Sequence, residues 1–226
     1  MNSSEAYQTD VVQTPAGDLK ITFLGHGSLM LTFGGKVIHV DPYGKVANYA
    51  SLPKADLVLI THEHGDHLDL EALGQIRTDS TEIVINEAAR NKVAYGIVMH
   101  NGEARGIQGF SIEAVPAYNL VHKRDNGEPF HPKGVGNGYV LTLGGKKIYI
   151  AGDTENIPEM KLLQGIDVAF LPMNLPYTMT PEMTAAAARS FKPAVLYPYH
   201  FGSTNTEMLV NLLKGEPIEV RIRRMA

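Results

Sequence analysis

Short apolar segments recur along the chain from residue 19 onward, and most have the length and alternation of β-strands. Residues 19–24 and 28–33 are predicted strands, because apolar side chains there alternate with polar ones or run together. The pair Gly34-Gly35 is typical of a tight hairpin turn and leads into a further strand over residues 37–40. The run ADLVLIT over residues 55–61 is mostly apolar and has the length of one buried strand. The first part of the chain is therefore predicted to form a sheet.

Two sequence patterns occur twice, in the same order and at nearly the same separation. LTFGGKVIHVD at residues 31–41 returns as LTLGGKKIYIAGD at residues 141–153, and ADLVLIT returns as IDVAFLP at residues 166–172. The offsets are 110 and 111 residues. Two unrelated Gly-Gly hairpins are the alternative explanation, but two matched pairs at one offset favour an internal duplication. The predicted halves span about residues 19–110 and 111–226.

Three helices are predicted from their terminal residues. Asp66 is expected to cap a helix whose leucines follow within the next seven positions. The segment TPE beginning at Thr180 combines a hydroxyl cap, a proline in the first turn and an acid near the positive helix end. That helix is predicted to run to about Phe191. A third helix is predicted after Thr204, which has capping-box spacing to an acid, with Gly215 as its stop.

These elements predict an α/β (α+β) fold in a single domain over residues 1–226. Strands are grouped within each half, with helices between and after them, which favours two sheets packed face to face with helices outside. Such an arrangement is a four-layer αβ/βα sandwich. A chain of 226 residues with 44% hydrophobic residues is sufficient for one large domain with a substantial core.

Composition excludes several classes of partner and of chemistry. A net charge of −4 and the absence of a basic arm argue against nucleic acid as a partner. No apolar run approaches the roughly 18 residues of a membrane span. The polar start shows no signal peptide, so we expect a cytoplasmic protein, or a periplasmic or exported one if a leader was removed. The absence of cysteine excludes disulfides and thiolate chemistry. The sequence carries no signal for an oligomeric state.

The most unusual segment is THEHGDH, directly after the apolar run ADLVLIT. Three of the nine histidines fall within six residues there, together with an aspartate. His62 and His64 would project to the same side of an extended backbone. Gly65 permits a bend that would bring Asp66 and His67 back toward the same space. Imidazoles and a carboxylate at this density predict a site for zinc, manganese or iron.

The THEHGDH motif resembles that of the metallo-β-lactamase superfamily, whose fold has an internally duplicated αβ/βα layout. The resemblance extends through FLGHGS, VDP, AGDT and YPYHFG, and so covers nearly the whole chain. Within the superfamily, the motifs GHGS, HVDPY and LPYTMTPE are most similar to bacterial metal-dependent hydrolases. Those hydrolases are related to ascorbate-6-phosphate lactonase and to N-acyl phosphatidylethanolamine phospholipase D.

The resemblance implies two divalent transition-metal ions, with zinc as the first expectation and manganese or iron as alternatives. It implies His62, His64 and a third histidine for the first ion, Asp66, His67 and His200 for the second, and Asp153 between both. Asp153 and His200 also stand just past apolar strands, and the strand before Asp153 is the second-half counterpart of the HVD strand.

The third histidine of the first site is chosen between two candidates. His131, in PFHPKG, lies 22 residues before Asp153 and between two prolines that restrict its backbone, and we favour it. His122 is the alternative. Asn119 stands where several relatives have a histidine, which is a departure from the family pattern.

Other polar residues are predicted to support the ligands or to face substrate. The resemblance implies that Asp41 orients a ligand histidine without binding metal itself. His26, in GHGS, is expected either to face the metals or the substrate, or to be a buried structural residue. His39 and His100 are predicted to be structural.

The predicted chemistry is hydrolysis by metal-bound hydroxide. A bound metal lowers the pKa of water to about 7, so hydroxide is available at neutral pH. Asp66 and Asp153 are the predicted catalytic residues, Asp66 as a proton acceptor that remains a ligand. Minor alternatives are a di-iron redox protein, disfavoured because His64 is not the glutamate of such relatives, and a protein whose metals only stabilise the fold.

The substrate is predicted to be a small molecule held under a lid formed by residues 118–138. His122, Lys123, Arg124 and Lys133 are expected to give this lid a cationic face. Tyr177 is a candidate hydrogen-bond donor near the metals. A phosphodiester is favoured, because two metals suit in-line displacement, and a lactone, phosphorylated or not, is the alternative. β-Lactam hydrolysis and transfer-RNA processing are disfavoured.

Overall fold

The computed structural model describes residues 7–226, in which two seven-stranded sheets lie face to face. The first six residues of the polar start, where no leader is predicted, lie outside the described part. The first sheet contains, in spatial order, β1 (Gln8–Thr14), β2 (Gly17–Gly25), β3 (Ser28–Phe33), β4 (Lys36–Val40), β5 (Leu57–Leu59), β6 (Glu82–Ile85) and β7 (Ile97–Val98). The second contains β8 (Ala104–Ile107), β9 (Phe110–Ala117), β10 (Gly136–Leu143), β11 (Lys146–Ile150), β12 (Val168–Pro172), β13 (Val195–Tyr199) and β14 (Glu219–Val220).

Both sheets have the same topology. The first four strands of each are antiparallel neighbours, and the last three continue in parallel. Leu31 pairs with Ile38 across the first Gly-Gly hairpin, and Leu141 pairs with Ile148 across the second. The first sheet ends at Val98 and the second begins at Ala104. An internal duplication remains our interpretation of these matched registers.

The predicted strands lie where the apolar pattern put them. Residues 19–24 fall within β2, residues 28–33 are β3, and residues 37–40 fall within β4. The run over residues 55–61 contributes only the three residues of β5 to the sheet. Beyond β5, Ile60 still donates its N–H to Val84 of β6, whereas Thr61 donates its N–H to the side chain of Asp41.

Three α-helices lie on the outer faces of the sheets: α1 (Leu70–Ile76), α2 (Pro181–Phe191) and α3 (Glu207–Leu212). The prediction for α2 is confirmed, since the Thr180 side chain accepts the N–H of Met183. Asp66 as the cap of α1 is wrong, because the carboxylate of Asp69 accepts the first helical N–H groups. The capping box at Thr204 is also wrong, since α3 begins three residues later without a side-chain cap.

The main core lies between the two sheets. The Phe23 ring of β2 contacts the rings of Phe170 and Tyr197 in the second sheet, at centroid distances of 6.3 and 5.0 Å. A smaller cluster covers the outer face of the first sheet under α1, and Phe191 of α2 packs on Tyr149 on the outer face of the second. Helix, sheet, sheet and helix therefore form the four layers predicted from sequence. Among residues 7–226, no helix has the length and apolar character needed to cross a membrane.

Candidate metal centre

The predicted ligands meet at one edge of the sandwich, where the carboxyl ends of strands from both sheets converge. His26 and Asp41 directly follow β2 and β4, and His62 follows β5. In the second sheet, Asp153 follows β11, and His200 is the first residue after β13. Because β4 and β5 are parallel, as are β11, β12 and β13, their following loops lie on the same side.

The backbone at this edge is held in an unfavourable conformation at three positions. His26, Asp41 and His200 have φ angles of 52°, 44° and 47°, in the left-handed region that non-glycine residues rarely adopt. The N–H of His200 donates to the carbonyl of His26 at 2.9 Å, which joins the two sheets. Between them, Gly27 passes so close to His67 that a Cβ would lie 3.0 Å from its ring.

One group of converging ligand atoms comes from His62, His64 and His131. Their nearest ring nitrogens all lie within 4.8 Å of one another. His62 Nε2 and His64 Nδ1 are 3.0 Å apart, and the rings of His62 and His131 meet edge to face at 5.0 Å. These are the three histidines that the sequence predicts for the first metal.

A second group comes from Asp66, His67 and His200, with His26 beside them, again within 4.8 Å of one another. Asp66 Oδ2 lies 3.9 Å from His67 Nε2 and 3.7 Å from His200 Nε2. His26 Nε2 is within hydrogen-bond distance of the same oxygen, at 3.0 Å. Of the alternatives for His26, namely facing the metals or the substrate or being structural, the structure places its ring beside the cluster, at the cleft.

Asp153 lies between the two groups. Its Oδ1 is 3.4 Å from His67 Nε2, while its Oδ2 is 3.3 Å from His131 Nε2 and 3.5 Å from His200 Nε2. One carboxylate is therefore shared by nitrogens of both groups, which is the position that the resemblance implies for a bridging ligand.

Hydrogen bonds fix which ring nitrogens point into the cluster. Asp41 Oδ2 lies 2.8 Å from His67 Nδ1 and accepts the hydroxyl of Thr61 at 2.7 Å. Because that hydroxyl donates to Asp41, its oxygen is left to accept His62 Nδ1–H at 3.0 Å. Both imidazoles therefore carry their proton on Nδ1 and direct Nε2 toward the cluster. Asp41 thus lies beside His67, a predicted ligand, and outside the cluster itself, and its role in orienting that ligand stays a prediction.

The donor set fits a transition-metal centre. Among the buried side-chain atoms of residues 7–226, His67 Nε2, Asp153 Oδ1 and both ring nitrogens of His200 have no hydrogen-bond partner. Buried polar atoms are rarely left without one. His67 Nε2, Asp153 Oδ1 and His200 Nε2 lie close together, and a cation between them would satisfy these three atoms at once. Imidazole and carboxylate are the ligand types that zinc, manganese and iron accept.

Electrostatics keep most of these ligands in a metal-binding form. Burial lowers the pKa of His131 to about 4 and holds that of His62 well below its usual range, so both rings are neutral at pH 7. Burial alone would raise the pKa of Asp153, yet the imidazoles of His200 and His67 hold it well below its usual range. Burial also acts to lower the pKa of His67, but Asp153 and Asp41 outweigh it and raise that pKa.

His122 lies apart from the metal-ligand groups. Its Nδ1 is 2.6 Å from Oε1 of Glu155, a buried carboxylate. Asn119 lies next to His131 instead: its Oδ1 is 2.6 Å from His131 Nδ1. The geometry therefore supports His131 over His122 as the third histidine, and that assignment remains a prediction.

A cleft of about 440 Å³ opens over the cluster. His26, His64, Asp66, His131, Asp153 and His200 line it from the metal side, and Arg124, Phe130, Asn174 and Tyr177 line it from the lid side. The Arg124 guanidinium lies over the Phe130 ring at 5.1 Å, and that ring meets Tyr177 edge to face at 5.1 Å. Tyr177 is thus placed at the cleft, as predicted.

The predicted cationic face of the lid is wrong in part. Lys133 Nζ donates to Glu159 at 2.8 Å, and the Lys133 ammonium does not line the cleft. His122 is held by Glu155, so of the four expected residues only Arg124 lines the cleft.

Tyr199 is fully buried, and its hydroxyl accepts the N–H of Gly152.

Two residues at the site were missed by the sequence reasoning. Thr61 is buried and connects Asp41 to His62, and its position directly before the first histidine was the available signal. Glu155 is fully buried two residues after Asp153. An acid immediately after the AGDT segment was visible in the sequence, but its hydrogen-bond partners lie 33 to 36 residues away.

A two-sheet sandwich with this cluster at one edge defines a class, the metal-dependent hydrolases built on the metallo-β-lactamase fold. The chain belongs to the metallo-β-lactamase superfamily, since residues 20–200 match the family described as β-lactamase superfamily domain. A UPF0173 metal-dependent hydrolase of Pelotomaculum thermopropionicum is 32% identical over 195 residues, covering 82% of this chain and 85% of the relative.

Solved structures agree with this family. A Parabacteroides distasonis protein assigned to the metal-dependent hydrolases is similar with 50% identity and a TM-score of 0.94, over 98% of this chain and 100% of that one. Igni18, a metallo hydrolase from the archaeon Ignicoccus hospitalis, is similar with 26% identity and a TM-score of 0.73, over 92% of this chain and 96% of that one. The family and fold predicted from the motifs are confirmed, and the chain is a metal-dependent hydrolase.

Proposed function

We propose that this protein binds two divalent transition-metal ions, zinc foremost, and hydrolyses a small monoanionic phosphodiester. The observation that carries the proposal is the position of Asp153, whose carboxylate lies within 3.5 Å of nitrogens from both ligand groups. His62, His64 and His131 would hold the first ion, and Asp66, His67 and His200 the second. When bound, such ions supply a hydroxide nucleophile at neutral pH and stabilise negative charge on the leaving oxygen.

The chain's own residues would orient substrate and move protons. Asp66 is the most exposed carboxylate of the cluster, with 39% of its side chain accessible, so it can reach a proton in the cleft. His26 Nε2 lies 3.0 Å from Asp66 Oδ2 and would fix the orientation of that carboxylate. The rings of Phe130 and Tyr177 form an apolar wall on the side of the cleft that Arg124 also lines.

Arg124 favours a substrate with a single negative charge. Its guanidinium is stacked on Phe130 and donates to the Phe130 carbonyl at 3.3 Å, which leaves its other donors for an anion. Lys133 is engaged by Glu159, and Arg124 is the one lysine or arginine of the lid that lines the cleft, so no second one would balance a dianion there. A phosphodiester carries one charge and a phosphorylated lactone carries close to two. A lactone without phosphate remains the second candidate, favoured by the apolar wall.

The test is a substrate panel with metal-loaded protein: bis-para-nitrophenyl phosphate, an acyl lactone, a phosphorylated lactone and a β-lactam. We expect cleavage of the phosphodiester and its loss in both Asp66→Ala and Asp153→Ala. Asp79→Ala, an exposed aspartate outside the cleft, is the matched control and should retain full activity.

Each other outcome has a separate meaning. Opening of the acyl lactone alone would replace the first candidate with the second. Turnover that survives in both site variants would overturn the mechanism. A protein that turns over no ester of the panel and unfolds when its metal is removed would support a purely structural role for the metals.

A further inference from the structure

The side-chain amide of Asn119 is held in one orientation by four partners. Its oxygen faces two nitrogens of His131, the backbone N–H at 3.0 Å and Nδ1 at 2.6 Å. Its nitrogen faces two oxygens, the carbonyl of Tyr177 at 2.9 Å and Oε1 of Glu155 at 3.1 Å. A flipped amide would place its NH₂ against one backbone donor and its oxygen against two acceptors. The hydrogen bonds therefore fix the amide as described.

This orientation determines the tautomer of His131. The Asn119 oxygen has no proton to give, so His131 Nδ1 must carry the proton of their 2.6 Å hydrogen bond. In the neutral ring, Nε2 is then the nitrogen with the free electron pair. That Nε2 faces Asp153 Oδ2 at 3.3 Å, within the space shared by the metal ligands. Asn119 thus presents the metal-binding nitrogen of His131 to the centre.

Asn119 is in turn held by Glu155. The carboxylate of Glu155 is fully buried, and N–H groups surround it. Its Oε2 accepts the N–H groups of Leu120 and Val121, each at 2.7 Å, and its Oε1 accepts the N–H of His122 at 2.8 Å as well as the Asn119 amide. The His122 ring also faces Oε1, its Nδ1 at 2.6 Å, so backbone donors and one imidazole surround the buried charge.

We propose that Asn119 and Glu155 are positioning residues that set the tautomer and orientation of His131. They thereby set the affinity of the group His62, His64 and His131 for its metal ion. The inference rests on the proposed metal centre and extends it. Hydrogen bonds from Glu155 to Asn119 and from Asn119 to His131 would connect the lid segment to the first metal ion. The rival explanation is that this network only holds the lid in its fold, with no effect on the metals.

The experiment measures metal binding, not turnover. Zinc affinities of wild type, Asn119→Ala and Glu155→Gln are determined by competition with a chelating indicator, together with the metal content at saturation. We expect one of two binding steps to weaken by about 10–100-fold in Asn119→Ala, as for other residues that hydrogen-bond a ligand histidine, and the other step to stay unchanged. Asn126→Ala, in the same lid but exposed, is the matched control and should bind like wild type.

A second measurement separates positioning from a structural role. Nitrogen-15 NMR of metal-free protein should show His131 with its proton on Nδ1, and Asn119→Ala should lose this preference for one tautomer. Glu155→Gln replaces an oxygen facing N–H donors by an NH₂ group and should weaken the same binding step.

The outcomes distinguish this inference from the proposed function. Wild type that binds no metal at all would refute both. Wild type that binds two ions, with Asn119→Ala binding both equally well and keeping the Nδ1 tautomer, would refute the inference alone. Loss of both binding steps together with a lower unfolding temperature of the metal-free protein would support the rival explanation.

Discussion

Replacing Asp41 by asparagine exchanges one carboxylate oxygen for an NH₂ group directly beside His67 of the candidate metal centre. Asp41 is fully buried, and its two oxygens receive the N–H and hydroxyl of Thr61 and the Nδ1–H of His67, all within 2.8 Å. Asparagine has nearly the same size and tolerates the left-handed φ of 44° at this position. The substitution therefore removes charge and one acceptor without adding backbone strain.

The magnitude follows from the contacts that asparagine cannot make. In either orientation of its amide, the NH₂ group faces at least one N–H or O–H donor from Thr61 or His67. A hydrogen bond to a charged group contributes about 1.5–3 kcal/mol, so we expect a loss of unfolding free energy of that order. Separately, His67 loses the carboxylate that raises its basicity, and metal affinity should fall by about 10–100-fold. That fall corresponds to about 1.4–2.8 kcal/mol of binding free energy.

Two measurements and one control test this reasoning. Urea unfolding of the metal-free protein gives the stability loss, and chelator competition gives the zinc affinity. Asp56→Asn is the control, because Asp56 likewise accepts a backbone N–H, that of Val37 at 2.8 Å, but lies away from the centre. It should lower stability and leave zinc affinity unchanged. An Asp41→Asn protein that is less stable yet binds zinc as tightly as wild type would refute a role for Asp41 in ligand orientation.

Three further predictions concern acidity, packing and substrate charge. Burial lowers the pKa of His39 to about 4, below the roughly 6.5 of an unfolded chain, so its contribution to stability is complete above pH 6.5 and lost as the pH falls toward 4. Between pH 6.5 and 4, the free energy of unfolding of His39→Gln should therefore fall by up to about 3 kcal/mol less than that of wild type, measured by urea unfolding of metal-free protein. An equal fall in both proteins would contradict this. Phe170→Ala should cost about 3–5 kcal/mol in the same assay because the ring is fully buried, while Leu162→Ala, 77% exposed, should cost almost nothing. Arg124→Ala should raise KM for an anionic ester about tenfold, which corresponds to the loss of one charged hydrogen bond at the rim of the cleft. Lys133→Ala should leave KM unchanged. Equal effects of the two substitutions would show that both cations reach the substrate.

The residues that the sequence predicts on the metal side of the site lie together in the structure, for a local reason. His62, His64, Asp66 and His67 are close in sequence, so their proximity follows from backbone geometry alone. Asp153 and His200 could be added because apolar runs mark strand ends, and the ends of parallel strands converge.

The predictions that were wrong depend on contacts that no local sequence pattern records. Asp66 and Asp69 are both acids before the same leucines, and the choice of cap depends on how the turn directs each carboxylate, which no local pattern records. Lys133 is removed from the cleft by Glu159, 26 residues away, and His122 by Glu155, 33 residues away. Pairings of that separation depend on the finished tertiary structure. For the same reason the sequence left His131 and His122 unresolved.

Within residues 7–226, the chain crosses from one sheet to the other once, in the short connection between Val98 and Ala104. Each sheet supplies only part of the ligand set. An ion held by both would therefore act as a removable crosslink, and its binding constant would report the effective concentration of one half for the other. Metal loading and the packing of the two sheets are in that case one linked equilibrium. A substitution in the core between the sheets, far from any ligand, would weaken metal binding, and a chelator would loosen that core.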